Sequence, residues 1–381
     1  MAMAEVSPAL KEDLNLAQSR GDLGHAQHLP GYIYHSQEVF ELEKQKIFMQ
    51  DWLAMARVEE FEKAGDYRTF RVMGEPVIIC RDGNDALNAF ANVCAHRGVE
   101  VASGEGNLEE FSCPYHGWLY DLQGKLIGAP YMKEAEGFDP ANCRLKPLRL
   151  GTWAGWIFIN FDENPETFES SIEWFENAFG MFRMEDCRFS GKYVTELDCN
   201  WKFVNENLMD VYHFQTLHVA TFGAHLDGEK FKINLTDKGD VSAFYKAAPT
   251  VPEGKSLVGK MPWFGDDIGE DLGCMGHLSP QFHVFGRCDH ISPLIVEPLS
   301  VNRTRMTLYH LFPKELFDKP DFAEKAQVYY DFWIEILEED RTMVQGMQRN
   351  MHTEQFLPGP MSKLERTVQN IINGYLNRIQ A

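Results

Sequence analysis

Four residues in the first half of this 381-residue chain have the types and spacing of a metal-ligand set. They are Cys94 and His96, separated by Ala95, and Cys113 and His116, separated by Pro114 and Tyr115, with sixteen residues between the pairs. Two thiolates and two imidazoles suit a 2Fe–2S cluster in which one iron takes both sulfurs and the other both ring nitrogens. A tetrahedral zinc also accepts two Cys and two His. Zinc patterns usually gather the cysteines in one pair and the histidines in the other, whereas each pair here is mixed. Gly98 and Gly117 lie just after the histidines, and Pro114 sits inside the second pair. Such residues suit tight turns that aim backbone amides at the sulfurs.

A second set lies in the run NWKFVNENLMDVYHFQTLH, Asn200 to His218. It holds Asp210, His213 and His218. Two histidines and one carboxylate on one face of ferrous iron leave the other face open for O2 and substrate. Phe203, Asn207, Asp210, Phe214 and Leu217 recur at helical spacing, so the run is expected to be helical. On an ideal helix His213 and His218 diverge by about 140°. A π-type turn between them, or a helix end near Thr216, is therefore expected to bring both rings to one metal. Taken alone, such a pair equally suits a buried helix with two hydrogen-bonded histidines.

Together the two sets resemble the Rieske non-haem iron oxygenases, and specifically the large (α) terminal oxygenase subunit of the aromatic-ring-hydroxylating family. The first set matches C-x-H…C-x-x-H. The second matches N-W-K…E-N…D-x-Y-H-x4-H through Asn200, Trp201, Lys202, Glu206, Asn207, Asp210, Tyr212, His213 and His218. The resemblance spans essentially the whole chain. It implies a Rieske 2Fe–2S cluster with Cys94 and Cys113 on the inner iron and His96 and His116 on the outer one. It also implies a mononuclear Fe(II) on His213, His218 and an acid from a late helix. Of Asp331, Glu335, Glu338, Glu339 and Asp340, periodicity favours Asp340. It falls at the centre of an apolar stripe of Phe332, Ile336, Met343 and Met347. A lone carboxylate on a buried face is costly unless it is paired or holds a metal. Glu339 falls at the edge of that stripe, and Asp331 and Glu338 point away. The resemblance gives Asp210 another role, as a bridge that accepts hydrogen bonds from His116 of one subunit and His213 of the next and carries the electron. Metal-bound imidazoles do give their second N–H to carboxylates.

The elements that must position these residues are legible in outline. A helical pattern covers residues 37–50. From Trp52 to about Phe161 short β-type runs follow (67–72, 77–80, 87–92 and 156–161), with turn signals at Asp82-Gly83-Asn84 and Gln123-Gly124. Beyond Asp162-Glu163-Asn164-Pro165 the pattern mixes helices (171–179, 322–351, 363–378) and strands (191–197, 281–285, 290–297, 303–312). Residues 228–276, rich in Gly, Pro and Asp, read as loops near a pocket entrance. The fold class is thus α+β. A small all-β Rieske domain, 46–162, joins a larger catalytic domain, 1–45 and 163–381, whose antiparallel sheet is flanked by helices. Asn207, Leu208 and Ile336 lie one turn from expected ligands and are candidate pocket residues. His225 is either another or a surface residue. His283 and His290 read as core, and His25, His28, His35 and His352 as surface groups.

Bulk properties narrow the function. A net charge of −21 argues against nucleic acid and against an anionic membrane surface. No apolar run approaches a transmembrane length, and the polar start lacks a signal-peptide pattern. Eight cysteines are too few for a disulfide scaffold and suit reduced thiols in the cytoplasm. The resemblance implies the terminal oxygenase of a multicomponent system that hydroxylates a small organic substrate with O2, by dihydroxylation, monohydroxylation or oxidative demethylation. Electrons would come from NAD(P)H through a separate reductase, with or without a ferredoxin, since no G-x-G-x-x-G unit is present here. The length resembles that of α3 homotrimers with head-to-tail contacts. An aromatic content of 13% fits an aromatic or aromatic-acid substrate, the reading favoured here. It also fits a cage for a quaternary ammonium compound of the carnitine or betaine kind, or plain core. The rival classes are an electron-transfer Rieske protein without oxygenase activity and a zinc-stabilised binding module.

Overall fold

The computed structural model describes residues 16–223, 226 and 228–380, so His225 lies outside the described residues. The chain forms two compact units, Phe48–Ser171 and the remainder, Met1–Ile47 with Ile172–Ala381. Among the described residues no helix is long and apolar enough to cross a membrane.

The unit Phe48–Ser171 is built from short strands. They are β1 (Leu53–Arg57), β2 (Asp66–Val72), β3 (Glu75–Arg81), β4 (Leu87–Ala91), β5 (Glu105–Asn107), β6 (Phe111–Ser112), β7 (Leu119–Tyr120), β8 (Leu126–Gly128), β9 (Arg149–Trp153) and β10 (Trp156–Asn160). Three antiparallel sheets result, ordered β4-β3-β2-β5, β1-β10-β9 and β6-β7-β8. The turn after β3 forms where expected. Asp82 Oδ1 accepts the amides of Asn84 at 2.9 Å and Ala86 at 3.0 Å, a side-chain bond that substitutes for a backbone turn. Ile78, Phe90, Phe111, Trp118 and Tyr120 make a core that includes Cys94 and Cys113.

In the other unit, Ser36 caps α1 (Gln37–Glu43) through the amide of Val39. A seven-stranded antiparallel sheet follows, from β11 (Cys187–Leu197), β12 (Lys232–Leu235), β13 (Val241–Lys246), β14 (Leu272–Leu278), β15 (Phe282–Arg287), β16 (Ile291–Ser300) and β17 (Arg303–Pro313). Its order is β11-β17-β16-β15-β14-β13-β12. The helices are α2 (Phe168–Phe179), α3 (Trp201–Met209), α4 (Phe214–Leu217), α5 (Phe322–Asn350) and α6 (Arg366–Gln380). α3 contacts β14 and β16 of the sheet as well as α5 and α6.

The stretch 228–276, expected as loops, instead contains β12, β13 and most of β14. Gly239, Gly254 and Gly259 do lie at positive φ in turns, but the two glycines of β14 mark close packing. A Cβ on Gly276 would lie 2.3 Å from the Phe179 ring, and one on Gly273 2.8 Å from the Tyr245 ring. Strand glycines of this kind admit a neighbour to the backbone.

α3 starts where Asn200 accepts the amide of Lys202 at 3.1 Å. The Asn200 amide itself donates to Gln348 Oε1 at 2.8 Å, which ties this helix start to α5. Beneath it lies a buried polar network. Glu43, fully buried, accepts Trp201 Nε1 and Tyr375 OH at 2.8 Å each and pairs with Lys202. Next to it Tyr34 OH donates to Glu206 at 2.9 Å. Burial pushes the Glu206 carboxyl up to about 7, against the opposing pull of His28 and Tyr34. The unfolded chain ionises this group near its ordinary 4.5, so between 4.5 and about 7 the folded state holds the extra proton and stability falls as pH rises. Glu206→Gln retains an acceptor for Tyr34 and has no charge to bury. Its melting temperature relative to wild type is expected to rise as pH is taken from below 4.5 to above 7. A pH-independent difference would show that folding does not shift the Glu206 carboxyl.

Candidate metal centres and pocket

In the unit Phe48–Ser171 two loops of one design present the first four residues. The Cys94 amide donates to Val99 O at 2.9 Å and the Gly98 amide to Cys94 O at 2.9 Å; the Cys113 amide donates to Trp118 O at 2.8 Å and the Gly117 amide to Cys113 O at 3.0 Å. Each loop closes on its cysteine through a glycine at positive φ, +78° for Gly98 and +68° for Gly117, where an L side chain is strained. Cys94 and Cys113 are each 3% exposed, while His96 is half-buried and His116 exposed. The sulfurs therefore lie inside and the imidazoles outside. His96 Nδ1 and His116 Nδ1 face each other at 3.2 Å. The His96 ring stacks on Trp118, with centroids 4.8 Å apart. Tyr120 OH accepts the Ala95 amide at 3.1 Å and lies 3.2 Å from Cys94 Sγ, placed to donate to a thiolate. Two buried sulfurs beneath two converging Nδ1 atoms fit a mixed-ligand 2Fe–2S cluster.

The second set does not sit on one helix. α3 ends at Met209, and Asp210 turns extended (φ −79°, ψ 112°). His213 and His218 flank the short α4, at its N- and C-terminal caps. The helix end expected near Thr216 falls at Leu217, between the histidines, and a further break lies before His213. Its cause is Asp210, whose Oδ1 accepts the Tyr212 amide at 2.7 Å and offers the backbone an alternative to the next helical bond.

This arrangement aims His213 Nε2 and His218 Nε2 at each other, 3.1 Å apart. Asp340 Oδ1 lies 3.2 Å from the His218 atom and 3.6 Å from the His213 atom. That oxygen is buried and makes no hydrogen bond. Lone pairs gathered at one point repel unless a cation lies among them, so the donor set fits a divalent metal with open positions. The opposite ring nitrogens are held by carboxylates. Asp210 Oδ2 lies 3.0 Å from His213 Nδ1, and Glu339 Oε2 lies 2.6 Å from His218 Nδ1. Glu339 also accepts Thr221 Oγ1 at 3.0 Å. Burial alone would lower the His218 pKa, but Asp340 and Glu339 outweigh it and raise it. Carboxylates behind both rings leave the Nε2 lone pairs for the metal.

Sequence reading gave Glu339 no role, because its partner, His218, arrives from a distant segment. The stripe used to select Asp340 was correct only in its first half. Phe332 and Ile336 are buried, but Met343 (44%) and Met347 (38%) are exposed, and beyond Asp340 the buried face continues through Val344 and Gln348. Each step of four advances about 40° around an ideal helix, so the buried face winds around α5 and leaves the stripe assumed. Asp331, Glu335 and Glu338 are exposed, and Glu338 pairs with Arg341 and Tyr193.

One pocket opens on the three ligand residues and includes Asn207, Leu208 and Ile336. Aromatic side chains supply much of its wall: Phe214, Phe222, Tyr245, Phe285 and Trp333. Phe222 stacks on the His218 ring at 4.9 Å.

Residues 184–381 match the ring hydroxylating alpha subunit (catalytic domain) family, and residues 51–145 match the Rieske [2Fe-2S] domain. The carnitine monooxygenase oxygenase subunit of Acinetobacter baumannii is 38% identical over 50% of this chain and 52% of its own length, so the match spans about half of that relative. The glycine betaine monooxygenase oxygenase subunit of Pseudomonas aeruginosa is 28% identical over 98% of this chain and 93% of its own. Among solved structures, the quaternary ammonium Rieske monooxygenase CntA aligns with a TM-score of 0.79 at 24% identity over 98% of this chain and 99% of that one. Naphthalene 1,2-dioxygenase from Rhodococcus aligns with a TM-score of 0.77 at 19% identity over 99% of both chains. At these identities the structures speak to the fold.

Proposed function

The chain belongs to the ring-hydroxylating α-subunit family, and we propose that it is the terminal oxygenase of a multicomponent system that oxidises a small quaternary ammonium compound at a carbon bonded to nitrogen. The observation that carries the substrate class is the aromatic wall beside the three converging ligand atoms. Aromatic faces attract a cation too bulky and too apolar to hydrogen-bond. The relatives named for carnitine and glycine betaine point the same way. The aromatic substrate expected from composition would meet the same walls, and the substrate's charge separates the two readings.

In this proposal Cys94, His96, Cys113 and His116 hold the cluster, and His213, His218 and Asp340 hold the mononuclear iron. Residues 46–162 form the cluster domain, and 1–45 with 163–381 the catalytic one. When bound, the cluster supplies electrons singly and the ferrous ion supplies O2 activation. Asp210 and Glu339 fix the two imidazoles, and Asp210 links His213 to the cluster of a neighbouring subunit in a head-to-tail homotrimer. Phe222 holds the His218 ring, and Leu208 and Ile336 help exclude water. A separate reductase, with or without a ferredoxin, draws on NAD(P)H in the cytoplasm. For a trimethylammonium substrate the balance is one O2, two electrons and two protons. One oxygen atom enters a C–H bond beside nitrogen and the other leaves as water. The resulting hydroxyalkyl ammonium ion loses its hydroxyl proton and breaks its C–N bond, giving an aldehyde and the tertiary amine.

The test supplies holoenzyme, a surrogate reductase, NADH and O2 with glycine betaine, carnitine, choline or benzoate. O2 uptake with stoichiometric aldehyde from an ammonium compound is expected. Uptake with benzoate alone would overturn the ammonium reading, and reduction of the cluster without any O2 uptake would favour a pure electron carrier.

A further inference from the structure

We infer that Arg287, with Thr250 and Trp333, forms an anchor for a carboxylate on the substrate, so that the pocket takes an acid or zwitterion rather than an uncharged or purely cationic molecule. Arg287 ends β15, two residues after Phe285 on the same face, and lines the pocket with the three metal-ligand residues. It is only 3% exposed. Across the sheet Arg287 pairs with Gly273, which pairs with Tyr245. The missing side chain at 273 lets the guanidinium lie over the Tyr245 ring, 5.5 Å from its centroid.

Its hydrogen bonds run to neutral oxygens. Nε donates to Ala248 O at 3.1 Å, and Nη1 donates to Gly286 O at 2.9 Å and Tyr245 OH at 3.3 Å. Nη2 has no partner among the described residues, and none of them brings a carboxylate within ion-pair distance of this guanidinium. A buried cation without a counter-charge is costly. Two more pocket-lining groups repeat the pattern: Thr250 Oγ1 and Trp333 Nε1 are buried and unpartnered. The pocket therefore has three donor side chains in want of an acceptor. The acid lining it is Asp340, committed to the metal site. A carboxylate satisfies the charge and the donors together, and planar guanidinium–carboxylate pairing is the strong form of that contact. A zwitterion with its ammonium end toward the aromatic wall meets both demands.

The inference rests on this pocket being the substrate site and is independent of whether the substrate carries an ammonium group. The test measures anaerobic binding to the holoenzyme by calorimetry for two matched pairs, glycine betaine against choline and benzoate against benzyl alcohol. In at least one pair the carboxylate should bind roughly 100-fold tighter than the alcohol, the scale of losing one partner of a buried charge pair. Arg287→Met should abolish that preference while leaving the far-ultraviolet spectrum and the cluster absorption unchanged, and Arg287→Lys should restore part of it. Equal affinity within both pairs, or no carboxylate binding at all, overturns the anchor. The wild-type comparison stands even where a variant misfolds. Tight benzoate with no betaine binding would defeat the ammonium reading and leave the anchor intact.

Discussion

Asp210→Asn should leave both metal sets in place and stop the reaction. The side chain keeps its size, and its Oδ1 can still accept the Tyr212 amide that terminates α3. What is lost is the negative charge 3.0 Å from His213 Nδ1. Losing the carboxylate behind a metal-bound histidine costs about 10- to 100-fold in metal affinity or activity through ligand orientation alone. A residue that also carries the electron between subunits should cost more than that, with iron content retained. The reading separates in single-turnover spectroscopy. Chemically reduced Asp210→Asn enzyme, given substrate and O2, should keep its cluster reduced, whereas wild type reoxidises. A variant that loses activity only in proportion to lost iron would make Asp210 an orienting residue and nothing more.

Asp340→Ala should abolish turnover by a different route. Asp340 is the one anionic group among the three converging donors, and its Oδ1 has no other bond to lose. Without it two neutral imidazoles remain, too few to hold ferrous iron against water and competing ligands. Iron affinity should fall by more than the about 100-fold that outer-sphere losses cost. Cys94, His96, Cys113 and His116 lie in the other compact unit, so the cluster absorption should be unchanged. A variant that retains mononuclear iron would show that Asp340 is not one of its ligands.

These two residues also show what a sequence can and cannot disclose. Short, local ligand pairs were readable because loop chemistry is local; the glycines that close on Cys94 and Cys113 stand within five residues of them. The antiparallel sheet was readable from β15 to β17, which are rich in β-branched and aromatic residues. It was hidden in β12 to β14, because Gly273 and Gly276, the β14 glycines that admit the Tyr245 and Phe179 rings, look like turn residues. The break at Asp210 was not legible, because helical spacing persists through a residue whose side chain stops the helix. The role of Glu339 and that of Arg287 stayed invisible for one reason. Each gains its meaning from a partner or a cavity far away in the chain, and neither periodicity nor spacing carries that information.

One chain is expected to hold a two-iron cluster and, separately, a single iron. Iron and acid-labile sulfide measured per chain, on wild type and on Asp340→Ala, tests it directly. The account predicts three irons and two sulfides for wild type, and two of each for the variant. Zinc without sulfide, or only two irons beside two sulfides in wild type, would contradict it.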